Sequence, residues 1–472
     1  MDPTQADQPG SRIERDSMGE VAVPSGALWG AQTQRALQNF PASGLRMPLR
    51  IIHAMASIKA AAAAANAEAG DLPGERAAAI RAAAGRIVDG SLDGQFPLDL
   101  FQTGSGTSTN MNLNEVIATL ASRECGAAVS ANDDVNMSQS SNDVMPTAIH
   151  LAAALLLERE LLPAVAHLSQ ALAVREQEFA ATPKTGRTHL MDAVPITLGQ
   201  EISGWRAQVD AAAVRFAECG VRLRRLAQGG TAVGTGLNAR PGFAEQFARR
   251  LGEHTGLAFT PAPNAFAALA AQDTAVELSG QLKVLAVSLT KICNDLRWMN
   301  SGPLAGLGEI RLPELQPGSS IMPGKVNPVV PESVAMMAAQ IIGNDAALTL
   351  GGLSGNFELN VMLPLIAHNL LESLELATLG CRTLADRAIA GFSADAARMA
   401  GQLARNPILV TALNPLIGYE RGAAIAKQAY REGLPILEVA VRMTTIPREQ
   451  LAAILDPLQL TGGGVHGKAG PG

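Results

Sequence analysis

The sequence predicts an all-α fold built on a bundle of long helices, packed so that several subunits share it. Three observations point there. Hydrophobic residues make up 47 % of the 472 residues and aromatics only 3 %, so the apolar mass is largely Ala and Leu. Side chains without a β-branch favour closely approaching helices over a β-sandwich. Several stretches carry apolar residues at helical spacing with few breakers. Between them lie short Ser/Thr/Asn/Gly clusters of turn composition. A chain of this length buries a large core and is expected to divide into two to four domains.

In chain order, residues 1–11 are polar with Pro and Gly and read as a loose end. Residues 51–70 and 75–90 read as helices, each stopped by a Gly. Residues 147–181, 198–228, 264–300 and 329–350 continue the helical pattern. A helix of about 30 residues extends about 45 Å, longer than one compact domain needs. Such helices are buried against several others, within one chain or between chains. From 397 onward "ARMAGQLARN", "YERGAAIAKQAYREG" and "REQLAAILD" mark shorter helices and a small C-terminal domain. "TGGGVHGKAGPG" (461–472) has linker composition.

Charge and cysteine usage exclude several classes. A net charge of −6 argues against a nucleic-acid surface, and it leaves any acidic substrate to be held by local cations. Cys125, Cys219, Cys293 and Cys381 form no CxxC pair, so a zinc cluster or disulfide framework is not expected, and a reducing cytoplasm fits. The first twenty residues contain no apolar core of a secretory signal. The apolar run "LAAALLL" (151–157) meets charge far short of a bilayer span, so no membrane partner is expected and the chain reads as soluble.

Chemistry concentrates in five polar clusters: 102–115, 132–147, 185–201, 229–238 and "GSSIMPGKVNP" (318–328). Any one alone reads as a turn or cap; five of them joining long helices read as converging polar walls, with helix N-termini offering N–H groups to anions. His189, after Thr188 in a polar cluster, is the candidate acid/base among seven histidines. "GGTAVGTGLN" follows a helix rather than a strand and lacks the acidic partner of a dinucleotide fingerprint.

The 318–328 string is not a phosphate loop. Gly318 and Gly324 are separated by SSIMP, Val326 rather than Ser or Thr follows Lys325, and Pro323 removes an N–H. Lys325 has no neighbouring acid and reads as a charge-stabilising cation. Pro328 restricts Asn327 to extended backbone, which aims its amide. Glu332 follows Pro331 at a helix start, where a carboxylate is also favoured by the helix dipole. Ser319 and Ser320 supply hydroxyls.

Taken together these strings resemble the fumarase/aspartase superfamily, and within it the class II (iron-independent) fumarases. The resemblance runs from about Arg12 to about Leu460. "GSSIMPGKVNP" is the superfamily signature; "GRTHLMDA", with His189 where aspartase-like relatives carry Gln, together with "SGNFELNV" (354–361) and "QTGSGT", resembles fumarase. The resemblance implies an all-helical chain of three domains, bounded here as 1–139, 140–396 and 397–472. It also implies a homotetramer whose active sites are shared between subunits, and no cofactor or metal.

It further implies the reversible, stereospecific hydration of fumarate to L-malate. Ser319 is the implied base for the C3 proton, and Lys325 and Asn327 stabilise the charge-rich carboxylate. His189, oriented by Glu332, handles the proton of the departing hydroxyl. Ser105, Gly106, Thr107, Ser140, Ser141, Asn142, Thr188, Ser320 and Val326 complete the implied substrate contacts.

One departure stands out. Fumarases commonly carry His-Pro before "NDDVN", part of a second dicarboxylate site. This chain has Ser130 and Ala131 there, ahead of Asn132 and Asp133, and an Ala at position 127 where a basic residue is common. That site is expected to be weak or absent. Aspartate ammonia-lyase is the alternative within the superfamily, towards which "KVNPVVPE" leans; a non-catalytic helical oligomer is the alternative outside it.

Overall fold

A computed structural model describes residues 10–40 and 42–464. Residues 1–9 of the first expected loose end and the last eight residues of the linker-like tail lie outside the described residues. Ser11 already opens a strand.

The chain forms two compact units, Met1–Pro163 with Val214–Val284 and Ala339–Thr378, and Ala164–Ala213 with Leu285–Ala338 and Leu379–Gly472. The architecture is helical, as expected. The long helices Leu198–Leu223, Asp273–Met299, Val329–Gly352 and Leu363–Leu384 contribute residues to both units.

In the first unit, helix Leu49–Glu68 packs on Gly74–Val88 and on Phe243–Thr255. Ala56, Ala62, Ala65, Ala83 and Ala84 are fully buried. Their short side chains let the helix axes approach, which is what the Ala-rich composition is for. An antiparallel hairpin, Ser11–Asp16 with Gly19–Pro24, was not legible as strand, and it carries its own small core of Val21, Val23, Ala27 and Ala31.

The cluster at 102–115 is not a connection. From Thr107 it is the start of helix Thr107–Cys125, and Asn110, Asn112 and Asn114 are at most 1 % exposed. They are tolerated because they bond to one another's neighbours: Asn110 and Asn114 both donate to Asn136 Oδ1, at 3.2 and 3.1 Å. The helix expected at 147–181 starts earlier, at Ser141, and passes through a π-helical turn at Leu157–Leu161 before continuing as Leu162–Glu178. The stretch before 229–238 ends in a two-residue strand, Arg225–Leu226.

In the second unit a twisted hairpin, Pro183–Thr188 with Met191–Thr197, and a short pair, Ile310–Arg311 with Ser393–Ala394, accompany the helices. The C-terminal helices Ala396–Ala404, Tyr419–Glu432, Ile436–Met443 and Arg448–Ile454 close around Leu403, Leu413, Ile425, Ile436, Val439 and Leu451. Each such fully buried side chain contributes about 2 kcal/mol of transfer free energy.

Helix Val329–Gly352 is long and apolar enough to cross a membrane by length and composition, with a mean hydropathy of 1.2 in its most apolar window, 39 % of which is buried. Met336, Ile342 and Leu350 lie exposed on it.

Candidate active site

The signature loop is a closed structure held by its own backbone. Gly318 N donates to the Lys325 carbonyl at 2.7 Å, and Asn327 Nδ2 donates to the Gly318 carbonyl at 2.6 Å. Only glycine fits at 318, because a Cβ would stand 2.5 Å from the Lys325 oxygen. At the tip, Lys325 N donates to Met322 O at 3.2 Å across Pro323 and Gly324, and Gly324 has φ +79°. Pro at the second position and a positive-φ Gly at the third are the signature of a type II turn.

Inside this ring Ser319 Oγ accepts the backbone N–H groups of Ile321 and Met322, at 3.2 and 3.1 Å. Two donors aimed at one hydroxyl oxygen stabilise negative charge on it, which a serine acting as a base requires. Ser320 is exposed beside it. The Asn327 amide is aimed: one of its hydrogens closes the loop on Gly318 O.

Lys325 is exposed and has no ion pair among the described residues. With Val326, Asn327 and Glu332 it lines a cavity of about 550 Å³, whose opposite wall is the end of the Asp273–Met299 helix and the turn after it. Sequence reasoning missed Asn294, Arg297 and Trp298 of that wall. Their only signal was a polar and cationic end, "NDLRWMN", on an otherwise apolar helix. Glu332 sits in the first turn of Val329–Gly352. Thr188 and His189 do not line this cavity.

His189 instead occupies the two-residue tip of the Pro183–Thr188/Met191–Thr197 hairpin, where Thr188 pairs with Met191. His189 and Leu190 have φ of +56° and +62°. Positive φ at both central positions matches the twist of a two-residue hairpin, yet the residues suited to it are Asn and Gly. A non-glycine residue there costs about 1–2 kcal/mol, and such strain collects at functional sites. His189 is exposed, and among the described residues it has no hydrogen-bond partner.

The first unit carries the other candidates, on two adjoining helix starts. Gly106, at φ +74°, precedes Thr107–Cys125, and Ser105 Oγ lies 2.8 Å from Thr107 Oγ1. A Cβ on Gly106 would press on Met145 of the neighbouring helix at 2.9 Å. Ser140 caps Ser141–Leu156 in a reciprocal box with Asp143. Ser141 Oγ accepts from Asn110 at 3.0 Å, and Asn142 donates to Ala232 O at 2.8 Å. Helix starts of this kind favour carboxylates.

Beneath them lies a buried charge that sequence reasoning passed over. Asp143 is fully buried and accepts N–H groups from Ser140, Gly229 and Thr231, at 2.9, 3.0 and 2.9 Å. Three of the polar clusters thus share one network. Burial pushes the Asp143 carboxyl up to about 7, against those donors and Lys59. Lys59, also fully buried and donating to Asn136 Oδ1 at 2.9 Å, is pushed by burial down to about 7. A lone Lys inside the Ala run "SIKAAAAAAN" was the available signal.

Where the second dicarboxylate site is expected to be weak or absent, Ser130 Oγ accepts from Asp133 N at 3.0 Å and donates to Asp133 Oδ2 at 2.9 Å, while Ser130 N donates to Asp134 Oδ2 at 2.7 Å. Ala131 and Asn132 begin the π-helical turn Ala131–Val135. Its own carboxylates occupy these donors. Among the described residues no group of His, Cys, Asp or Glu is arranged to hold a metal ion.

A largely helical fold with a serine-bearing, lysine-bearing loop is what the lyases share with this chain. A family profile described as Lyase matches residues 19–343, and one described as Fumarase C C-terminus matches 409–462. A Pseudomonas aeruginosa protein named fumarate hydratase class II 2 is 58 % identical, over 96 % of this chain and 99 % of its own. A Xylella fastidiosa fumarate hydratase class II is 56 % identical over 98 % of each. The crystal structure of class II fumarase from Schistosoma mansoni superposes with a TM-score of 0.93 at 38 % identity, over 96 % of this chain and 99 % of that one. The chain belongs to the class II fumarate hydratase family.

Proposed function

We infer that the chain is a hydro-lyase that interconverts fumarate and L-malate. The observation that carries the chemistry is the ring around Ser319. Removing the C3 proton of malate puts further negative charge on a carboxylate that already has one, so the site must place cation and donors where that charge develops. Ser319 acts as its alkoxide, stabilised by the two N–H groups on its oxygen; taking the C3 proton neutralises it, and the electron pair of the C–H bond passes into the substrate carboxylate. Lys325 and the second amide hydrogen of Asn327 meet the aci-carboxylate. Ser105, Gly106, Thr107, Ser140, Ser141, Asn142, Thr188, Ser320 and Val326 hold the two carboxylates in register. His189, oriented by Glu332, protonates the departing hydroxyl.

We propose further that the working form is a homotetramer with active sites shared between copies. Two observations support it. His189 is exposed and does not line the cavity that holds Glu332, which fits a pair completed by another copy. Val221, Val287, Met336, Ile342, Leu350 and Leu379 are exposed apolar residues on the long helices. Helix Val329–Gly352, apolar enough for a bilayer, is then a core helix of an assembly. The division at 139/140 and 396/397 is our domain proposal, supported at the C-terminal end by a core drawn from 403–455. Free, buried Cys219, Cys293 and Cys381 support a reducing cytoplasm.

The test presents the protein separately with L-malate, L-aspartate and argininosuccinate and follows the ultraviolet absorbance of fumarate's double bond. Absorbance should rise with L-malate alone. A rise with L-aspartate and none with L-malate would replace hydration by ammonia loss.

A further inference from the structure

The hairpin tip that carries His189 is strained, and something must hold it. Four charges meet behind it in the second unit. Lys184 and Glu309 are each 1 % exposed, and Lys184 Nζ stands 2.9 Å from Glu309 Oε2. Lys184 also pairs with Glu201. Arg187 grips Glu309 with two prongs, Nη2 to Oε1 at 2.6 Å and Nη1 to Oε2 at 3.1 Å.

The strand geometry makes this arrangement specific. Strict alternation would turn Lys184 and Arg187, three residues apart, to opposite faces. The ladder breaks between them: Thr185 pairs with Pro195 and Arg187 with Asp192, so Gly186 alone faces Ala193 and Val194. The extra residue lies on the Met191–Thr197 strand, and such a bulge adds local twist to the hairpin. Across it both cations reach one carboxylate. Gly186 is required, because a Cβ would stand 2.7 Å from the Val194 carbonyl.

Burial acts to raise the Glu309 carboxyl, but Arg187 and Lys184 overcome it and hold the group below the usual range. Glu309 is therefore a carboxylate, and the clamp is ionic. Its backbone is fixed too: Glu309 N donates to Met299 O at 2.8 Å, and Asp395 N donates to Glu309 O at 2.8 Å.

We propose that Glu309, through Lys184 and Arg187, is the positioning residue for His189: the clamp fixes the face and the pitch of the strand that ends in the strained Thr188–Met191 tip. It does not touch substrate. This rests on the role given to His189 above. Displacing a catalytic group by about 1 Å costs on the order of 100-fold in rate, so the effect should fall on kcat rather than KM.

The experiment is a double-mutant cycle on L-malate dehydration with Glu309→Gln, Arg187→Lys and His189→Asn, read as kcat and KM on protein of wild-type oligomeric mass. Glu309→Gln should lower kcat about 10- to 100-fold with KM within about threefold, and should cost less than about twofold once His189 is Asn. Should Glu309→Gln fail to fold, Arg187→Lys, which keeps the charge and loses the two-pronged grip, should give at least about a tenfold loss in kcat with the same non-additivity. Wild-type kcat in the folded clamp variants, or an equal loss in both backgrounds, overturns the positioning role. Wild-type kcat in His189→Asn overturns the His189 assignment, and the clamp's role with it. A loss in His189→Asn with none in the clamp variants overturns the clamp alone.

Discussion

The side-chain amide of Asn327 donates to the carbonyl of Gly318 at 2.6 Å, joining the two ends of a loop whose tip is a Pro-Gly turn. The ring so formed presents Ser319 and Lys325 from one short segment, and its closure depends on both end residues. Asn327→Ala removes the tie, and Gly318→Ala drives a Cβ to 2.5 Å from the Lys325 oxygen. Each substitution should lower kcat for L-malate by about 100-fold or more while leaving the thermal midpoint within a few degrees. Steady-state kinetics beside thermal unfolding checks this. Wild-type kcat in Asn327→Ala would remove the loop closure from the mechanism.

Ser319→Ala keeps the ring, since Gly318, Lys325 and Asn327 close it without the hydroxyl. The loss should therefore be chemical. We expect kcat to fall by about 10³-fold with KM for L-malate changed less than about fivefold. Exchange of the malate C3 proton with solvent deuterium, followed by NMR, should fall in step with kcat. Retained exchange would point to another base.

Asp143 and Lys59 make stability depend on pH in opposite senses. The Asp143 carboxyl is raised from 3.8 to about 7 by burial, so between those values the folded state binds more protons than the unfolded one, and stability falls as pH rises. Lys59 is lowered from 10.5 to about 7, so between about 7 and 10.5 the unfolded state binds more protons, and stability rises with pH. Asp143→Asn should flatten the lower window, and Lys59→Met the upper one, in thermal midpoints measured from pH 5 to 10. Unchanged slopes in both variants would mean that these groups titrate normally.

The exposed apolar face of the long helices should be an assembly surface. Met336 is 68 % and Leu350 61 % exposed. If the proposed assembly holds, Met336→Lys with Leu350→Lys should shift the mass seen by light scattering from that of a tetramer towards smaller species and remove activity, because the proposed pairing of His189 with Glu332 across copies is then lost. A tetramer of full activity would place the interface elsewhere.

Much of this was legible in the sequence, and what was not has identifiable causes. Ala-rich helical spacing marks Leu49–Glu68 and Gly74–Val88 to within a few residues, since helix periodicity is local. The signature loop was legible as special. The partner of Asn327 was not, because a side chain nine residues from its acceptor leaves no periodic trace. The Asn-rich stretch 107–115 looked like a loop, because only the distant Asn136 and Lys59 make buried amides affordable in a helix. The Pro183–Thr197 hairpin lacks clean alternation, as its bulge puts an extra residue at Ala193–Val194, opposite Gly186. The pairing of Lys184 with Glu309 joins residues more than a hundred apart.

The most direct measurement is the rate of L-malate dehydration by Lys325→Met, followed by absorbance of the double bond, with oligomeric mass measured on the same preparation. Loss of the ammonium should cost at least about 10³-fold in kcat with the wild-type mass retained. Dehydration at the wild-type rate would contradict the claim that Lys325 meets the charge developing on the substrate carboxylate.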